Sequence, residues 1–141
     1  MKKHKSLFIL LGGVLILMSA ILAANPQLVG AAEKCYFVTF WDKENVNPTT
    51  LTIGKGDCVV WMDWKRNEDV TLSFREGAKC LKAVKKPTLF KMDEPSACLI
   101  SQILKYGETV YLVFTEPGTY VYDINFKTGG TTSASIVVTE R

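Results

Sequence analysis

The residues able to do chemistry in this 141-residue chain are few and unevenly placed. Its single histidine, His4, stands in the basic head Met1-Lys2-Lys3-His4-Lys5. The chain beyond that head has no imidazole, so a serine or cysteine nucleophile would lack a histidine base to activate it. Acids stand side by side at Glu68-Asp69 and Asp93-Glu94. No second group is poised to separate their pKa values, so they read as solvated loop or turn carboxylates. Met62 and Met92 carry soft thioethers, and a methionine in an apolar strand is core filling. No catalytic residue is expected, and the protein is not expected to be an enzyme.

Cysteine is the remaining reactive type. Cys35, Cys58, Cys80 and Cys98 are separated by 22, 21 and 17 residues, with no Cys-x-x-Cys pair of the kind that nucleates a thiolate metal site. An even count in an exported domain reads as two disulfides. Cys80 and Cys98 flank the one long irregular stretch, 75–104, and are expected to pair there. Closing that loop would contribute about 3 kcal/mol if the native geometry is unstrained. Cys35 and Cys58 then pair by elimination, tying the first strand to a core strand.

Export is read from the N-terminus. The positive head is followed by an uncharged apolar run over 6–24, and then by the small residues Val29-Gly30-Ala31 in a cleavage pattern. Residues 1–31 are therefore expected to be a signal peptide, and 32–141 one domain, periplasmic or extracellular. An uncleaved N-terminal membrane anchor is the competing reading, because the apolar run just reaches spanning length. Removing the segment also removes the charge. Three of the 17 basic residues precede Ala32, which leaves 14 against 14 acids. A nucleic-acid partner would need a net basic face and is not expected. Membrane contact is expected only through the N-terminal segment, if it is retained.

The elements that must position these groups are strands. Residues 36–41, 49–53, 58–64, 70–74, 109–114, 120–126 and 135–139 alternate or run apolar and β-branched, and Gly/Pro/Asn turns separate them. A helical turn is conceivable at 99–104, but no segment keeps a 3.6-residue period for a normal helix length. The fold class is all-β, a sandwich or barrel of short strands.

The order of the pieces resembles a known family. Asn47-Pro48-Thr49-Thr50-Leu51-Thr52-Ile53, then Gly56-Asp57 and Val59-Val60-Trp61, are similar to the opening strands of the plastocyanin/azurin-like cupredoxins. Tyr106-Gly107-Glu108-Thr109 and Phe114-Thr115-Glu116-Pro117-Gly118-Thr119-Tyr120-Val121-Tyr122 continue the likeness. The resemblance covers roughly 35–139 and implies a Greek-key β-sandwich of seven or eight strands. It also implies a blue-copper site of two imidazoles, a thiolate and often a Met. Carried over position by position, that site is vacant of its ligands. Asp69 stands where the first His is expected, Ile124 where the Cys is expected and Lys127 where the second His is expected, and 128–135 offers no Met. The resemblance therefore implies the fold without a type 1 copper, and no cofactor is expected.

Function is then expected to be binding: an exported accessory module with a protein partner in the cell envelope, such as a redox assembly. The alternative is a periplasmic copper-binding electron-transfer protein with non-standard ligands. Two surfaces suit a partner. Lys82, Lys85, Lys86 and Phe90 in the 75–104 stretch would make a basic, apolar docking flap, steered by charge toward an acidic partner. Trp61 and Trp64 fall on opposite faces of one strand, so an outward Trp64 beside Lys65-Arg66 is a candidate anchor.

Overall fold

The computed structural model describes residues 34–85 and 87–140. Residues 1–31, expected to be a signal peptide or membrane anchor with the apolar run 6–24, and Lys86 lie outside the described residues. Two sheets face one another. The first has the order β2-β1-β4-β9-β6, from Val46–Asn47 (β2), Cys35–Phe40 (β1), Cys58–Asp63 (β4), Thr109–Phe114 (β9) and Val84–Lys85 (β6). The second has the order β3-β11-β10-β5-β8-β7, from Thr50–Gly54 (β3), Thr131–Thr139 (β11), Gly118–Phe126 (β10), Val70–Phe74 (β5), Cys98–Ser101 (β8) and Phe90–Asp93 (β7). Among the described residues one short helix, Gly77–Lys82 (α1), lies between β5 and β6.

Alternation explains which residues fill the space between the sheets. Along β10, Tyr120, Tyr122, Ile124 and Phe126 are buried while the residues between them are not. Leu72 and Phe74 of β5 meet the same layer, and Val38, Phe40, Trp61, Val110 and Leu112 face it from the other sheet. Trp61 stands at the centre, with Phe74 and Tyr122 edge-on at 5.8 and 5.5 Å between ring centroids. Edge-to-face pairs of this kind add about 0.5–1.5 kcal/mol each to the burial of their area. Two connections are parallel, β1 with β4 and β11 with β3, so strands cross between the sheets as a Greek-key sandwich requires.

Eleven strands form among the described residues, where seven or eight were expected. The long ones, β1, β3, β4, β5, β9, β10 and β11, are the segments whose alternation is visible in the sequence. The additions are the two-residue β2 and β6 and the four-residue hairpin β7–β8. The stretch over 75–104 is therefore an ordered flap, and 98–101 is strand rather than a helical turn. Gly77 makes the flap possible: a Cβ there would stand 2.4 Å from the Leu99 backbone nitrogen and 2.6 Å from the Cys98 carbonyl carbon. Only glycine lets α1 lie this close to β8.

The cysteine pairing is half as expected. Cys35 and Cys58 are direct partners in the parallel β1–β4 register and form a disulfide, with 4.4 Å between Cα atoms. Cys80 and Cys98 do not pair; both are free thiols. The reason is alternation within β8. Leu99 takes the core-facing position, so Cys98 points away from the core, whereas Cys80 projects inward from α1 and is 1% exposed.

Candidate functional site

Four loops meet at one end of the sandwich, and the contacts that fix them are polar. They are 41–45, 64–69, 102–108 and 127–130. Lys127 donates its backbone N–H to the Asp69 carbonyl at 3.0 Å, and its ammonium bonds the Asp69 carboxylate at 2.8 Å. Glu68 accepts from both the backbone N–H and the hydroxyl of Thr128. Thr132 donates its hydroxyl to the Lys43 carbonyl, joining the first loop to the start of β11. The Thr128 hydrogen bonds hold the Glu68 carboxyl below its ordinary range, and the Lys127 hydrogen bond does the same for Asp69.

The three positions carried over from the cupredoxin ligands fall at or beneath this end, in unlike environments. Ile124 is fully buried, paired with Leu72 and Thr132 in the second sheet. Asp69 and Lys127 are bonded to each other at the surface and line a shallow depression of about 300 Å³ with Ile103 and Asn125. Asp123 is not among them. Its carboxylate faces the outer side of the second sheet, where Arg75 grips it with two hydrogen bonds at 2.9 and 2.7 Å and Ser133 adds a third.

Beside that ion pair lies the feature that sets this end apart, a cluster of exposed aromatic rings. Trp41 is 59%, Tyr106 46% and Trp64 37% exposed. Trp41 and Trp64 are tilted by 34° with centroids 6.2 Å apart, and Tyr106 stands edge-on to Trp64 at 5.6 Å. The Arg66 guanidinium lies over the Tyr106 ring, 5.4 Å from its centroid.

Each ring is held by backbone. The Trp64 N–H donates to the Phe40 carbonyl at 2.9 Å, extending the β1–β4 ladder one step and placing Trp64 beside Trp41. Trp41 donates to the Asn45 carbonyl across a tight turn that Asp42 caps by accepting from the N–H groups of Glu44 and Asn45. Tyr106 is carried by the turn 105–108, whose Gly107 N–H donates to the Asp63 carbonyl at 2.7 Å. Asp63 donates in return to the Glu108 carbonyl at 3.2 Å.

Asp63 is the one strongly perturbed carboxyl of this end. It is fully buried, one oxygen accepts from the Lys65 N–H at 2.6 Å, and the other has no hydrogen-bond partner. Burial pushes its pKa up to about 6, and the nearby Glu68, Asp69 and Glu108 add to the rise.

Of the residues singled out for a partner, Trp64 is partly exposed at this end. Lys82 and Lys85 are exposed. Phe90 is not available: it is 9% exposed and packs edge-on against Trp61 and Phe74. Val84 and Leu99 of the flap are buried too and Leu89 is partly buried against the same core, whereas Leu81 beside Lys82 stays 39% exposed. The flap thus covers the core with Phe90, the aromatic side chain that was expected to meet a partner, and leaves Lys82 and Lys85 at the surface. Trp41 and Tyr106 went unrecognised as members of the site, although one signal for Trp41 was present. It lies six residues after Cys35, as Trp64 lies six after Cys58, so a disulfide between parallel strands in register brings both pairs together.

No protein-family model matches the chain, and no curated protein matches it. Solved structures do. A reduced, Cu(I) form of an amicyanin variant at pH 4 is similar over 78% of this chain and 87% of its own, at 22% identity and a TM-score of 0.53. An oxidised amicyanin variant is similar over 80% and 88%, at 21% identity and a TM-score of 0.51. At this level of identity the likeness concerns the backbone alone. The described chain has the cupredoxin fold, a two-sheet β-sandwich of the amicyanin kind.

Proposed function

We propose that this protein is an exported binding module on a cupredoxin fold, which acts through the aromatic cluster of its loop end and holds no type 1 copper. The observation that carries the reading is the exposure of Trp41, Trp64 and Tyr106 together on backbone fixed by ladder and turn hydrogen bonds. Contiguous exposed apolar surface rimmed by polar groups marks an interaction site. Trp, Tyr and Arg are the residues that dominate binding energy when desolvated. Recognition belongs at this end rather than on the flap, because the flap turns Phe90, Val84 and Leu99 into the core and leaves Leu81 as a lone exposed apolar side chain beside its lysines.

The donor chemistry supports the absence of blue copper. Ile124 offers no ligand atom, and the Lys127 ammonium is bonded to Asp69, which raises its pKa further. A cupric thiolate centre needs nitrogen and sulfur donors that these residues do not supply. Cys80 does not replace them: burial pushes its thiol up to about 12, so it stays protonated, and Cys98 faces the other way. Export is supported by the N-terminal segment and by the Cys35–Cys58 disulfide, a bond that persists in oxidising compartments. An accessory role in an envelope assembly fits such a module.

A copper-binding electron carrier is the second reading, favoured by the likeness to amicyanin backbones. Adding one equivalent of Cu(II) to the purified, non-reduced protein separates the two. A binding module gives no intense thiolate-to-copper absorption in the visible; a blue, stoichiometric complex would overturn the proposal.

A further inference from the structure

We infer that the aromatic cluster at the loop end is a binding site for neutral oligosaccharides, with pyranose rings stacked on Trp41 and Trp64. This rests on the binding-module reading and names its ligand. The rings do not form one flat face. Trp41 is a ridge between two shallow depressions. One, of about 480 Å³, is closed by Trp64, Tyr106 and Arg66; the other, of about 530 Å³, is lined by Asp42, Glu44, Asn45, Val46 and Asn47. A protein partner needs roughly 800 Å² of continuous complementary surface on each side. Tilted rings with a depression on either side suit a narrow, ridged ligand instead.

The polar groups around the rings indicate its chemistry. Among the described residues, the Trp41 and Trp64 indole N–H groups, the Tyr106 hydroxyl and the Glu44 carboxylate make no hydrogen bond, and Arg66 has no carboxylate partner. Donors and acceptors therefore alternate with ring faces along one surface. The charges at its two ends oppose each other, Arg66 on one side of Trp41 and Asp42 with Glu44 on the other, the Asp42 carboxylate being taken up by Asn45 and the Glu44 N–H. A cation is disfavoured at the rings because Arg66 already covers Tyr106, and an anion meets Glu44. A neutral ligand rich in hydroxyls satisfies both ends. The apolar C–H face of a pyranose, with its partial positive charge, complements the negative face of an indole.

The test uses the purified protein and two probes, the hexasaccharides of β-1,4-linked glucose and of β-1,4-linked N-acetylglucosamine. Binding is followed by tryptophan emission and by calorimetry. Saturable binding of at least one probe is expected. Trp41→Ala and Trp64→Ala should each weaken it roughly tenfold or more, the loss expected of a central aromatic anchor. Trp64→Phe should recover most of the affinity, and Tyr111→Ala, an exposed ring on the outer face of the first sheet, should change nothing. Cooperative thermal unfolding of every variant verifies that the fold is intact. The inference is overturned if neither probe binds, or if binding is unchanged in Trp41→Ala and Trp64→Ala. It is equally overturned if emission responds only to phosphatidylglycerol vesicles or to an apolar peptide. Copper content of the same preparation is measured in parallel. Blue copper together with ring-dependent saccharide binding would remove the metal-free reading and leave the saccharide site standing.

Discussion

Two buried aspartates bracket the same strand, and their surroundings differ as the two ends of the sandwich differ. Asp57 precedes β4 at the end away from the aromatic cluster, and its oxygens accept from the N–H groups of Lys34 at 3.2 Å and Gly54 at 2.9 Å. Asp63 closes β4 at the loop end, with one oxygen bonded and the other without a partner. Both are almost completely buried, 3% and 0% exposed. At the first end burial is matched by donors and the carboxylate works as a turn clamp. At the other, burial is under-compensated, directly beneath the turn that carries Tyr106. The lesson is that burial alone does not assign a role to a buried acid; the count of donors does. The under-satisfied acid lies at the end that carries the exposed rings, in keeping with the tendency of functional sites to tolerate local cost.

The largest effect that would break this comparison is at the clamp. Asp57→Ala leaves two backbone N–H groups without their acceptor and should lower unfolding stability by about 2–3 kcal/mol, read from denaturant melts at pH 7. A loss under about 0.5 kcal/mol would mean the clamp is ornamental.

Asp63 should behave in the opposite sense. Its folded pKa of about 6 lies above the ordinary 3.8, so the folded state holds more protons than the unfolded state between those values. The stability it confers is therefore full below about pH 4 and is lost as pH rises through about 6. Asp63→Asn should raise stability at pH 7 by on the order of 2 kcal/mol, and the gain should vanish below about pH 4. Urea midpoints measured across pH 3.5–7.5 decide it; a destabilising effect at neutral pH would show that the ionised carboxylate is needed.

The smallest effect is expected at Lys127. Its ion pair with Asp69 joins side chains that are 72% and 30% exposed. Solvent screens such pairs, so Lys127→Ala should change stability by under about 0.5 kcal/mol. A larger loss would give the 127–130 loop a structural weight comparable to that of the clamp.

Much of this arrangement was legible in the chain. Strong alternation marked the long strands, from the run at Cys58 to the four inward residues Tyr120, Tyr122, Ile124 and Phe126. The three-residue spacing of Trp61 and Trp64 required one of them to leave the core, and Trp64 did. What the chain did not disclose depends on contacts between distant segments. The pairing of Cys80 with Cys98 failed because their side chains point to different sides of β8, which spacing alone does not encode. Phe90 reads as available beside lysines, yet the flap folds over Trp61 and Phe74 and turns it inward. Tyr106 joined the rings only because the Asp63 backbone captures the 105–108 turn, a tertiary contact with no local pattern.

The most direct test concerns the loop end as a whole: recognition surface or copper centre. The protein isolated from its native source without added copper, measured by metal analysis and visible absorption, gives the answer. A binding module should carry far less than one copper per chain and show no intense visible band. One bound copper per chain with a strong thiolate-to-copper absorption would contradict it.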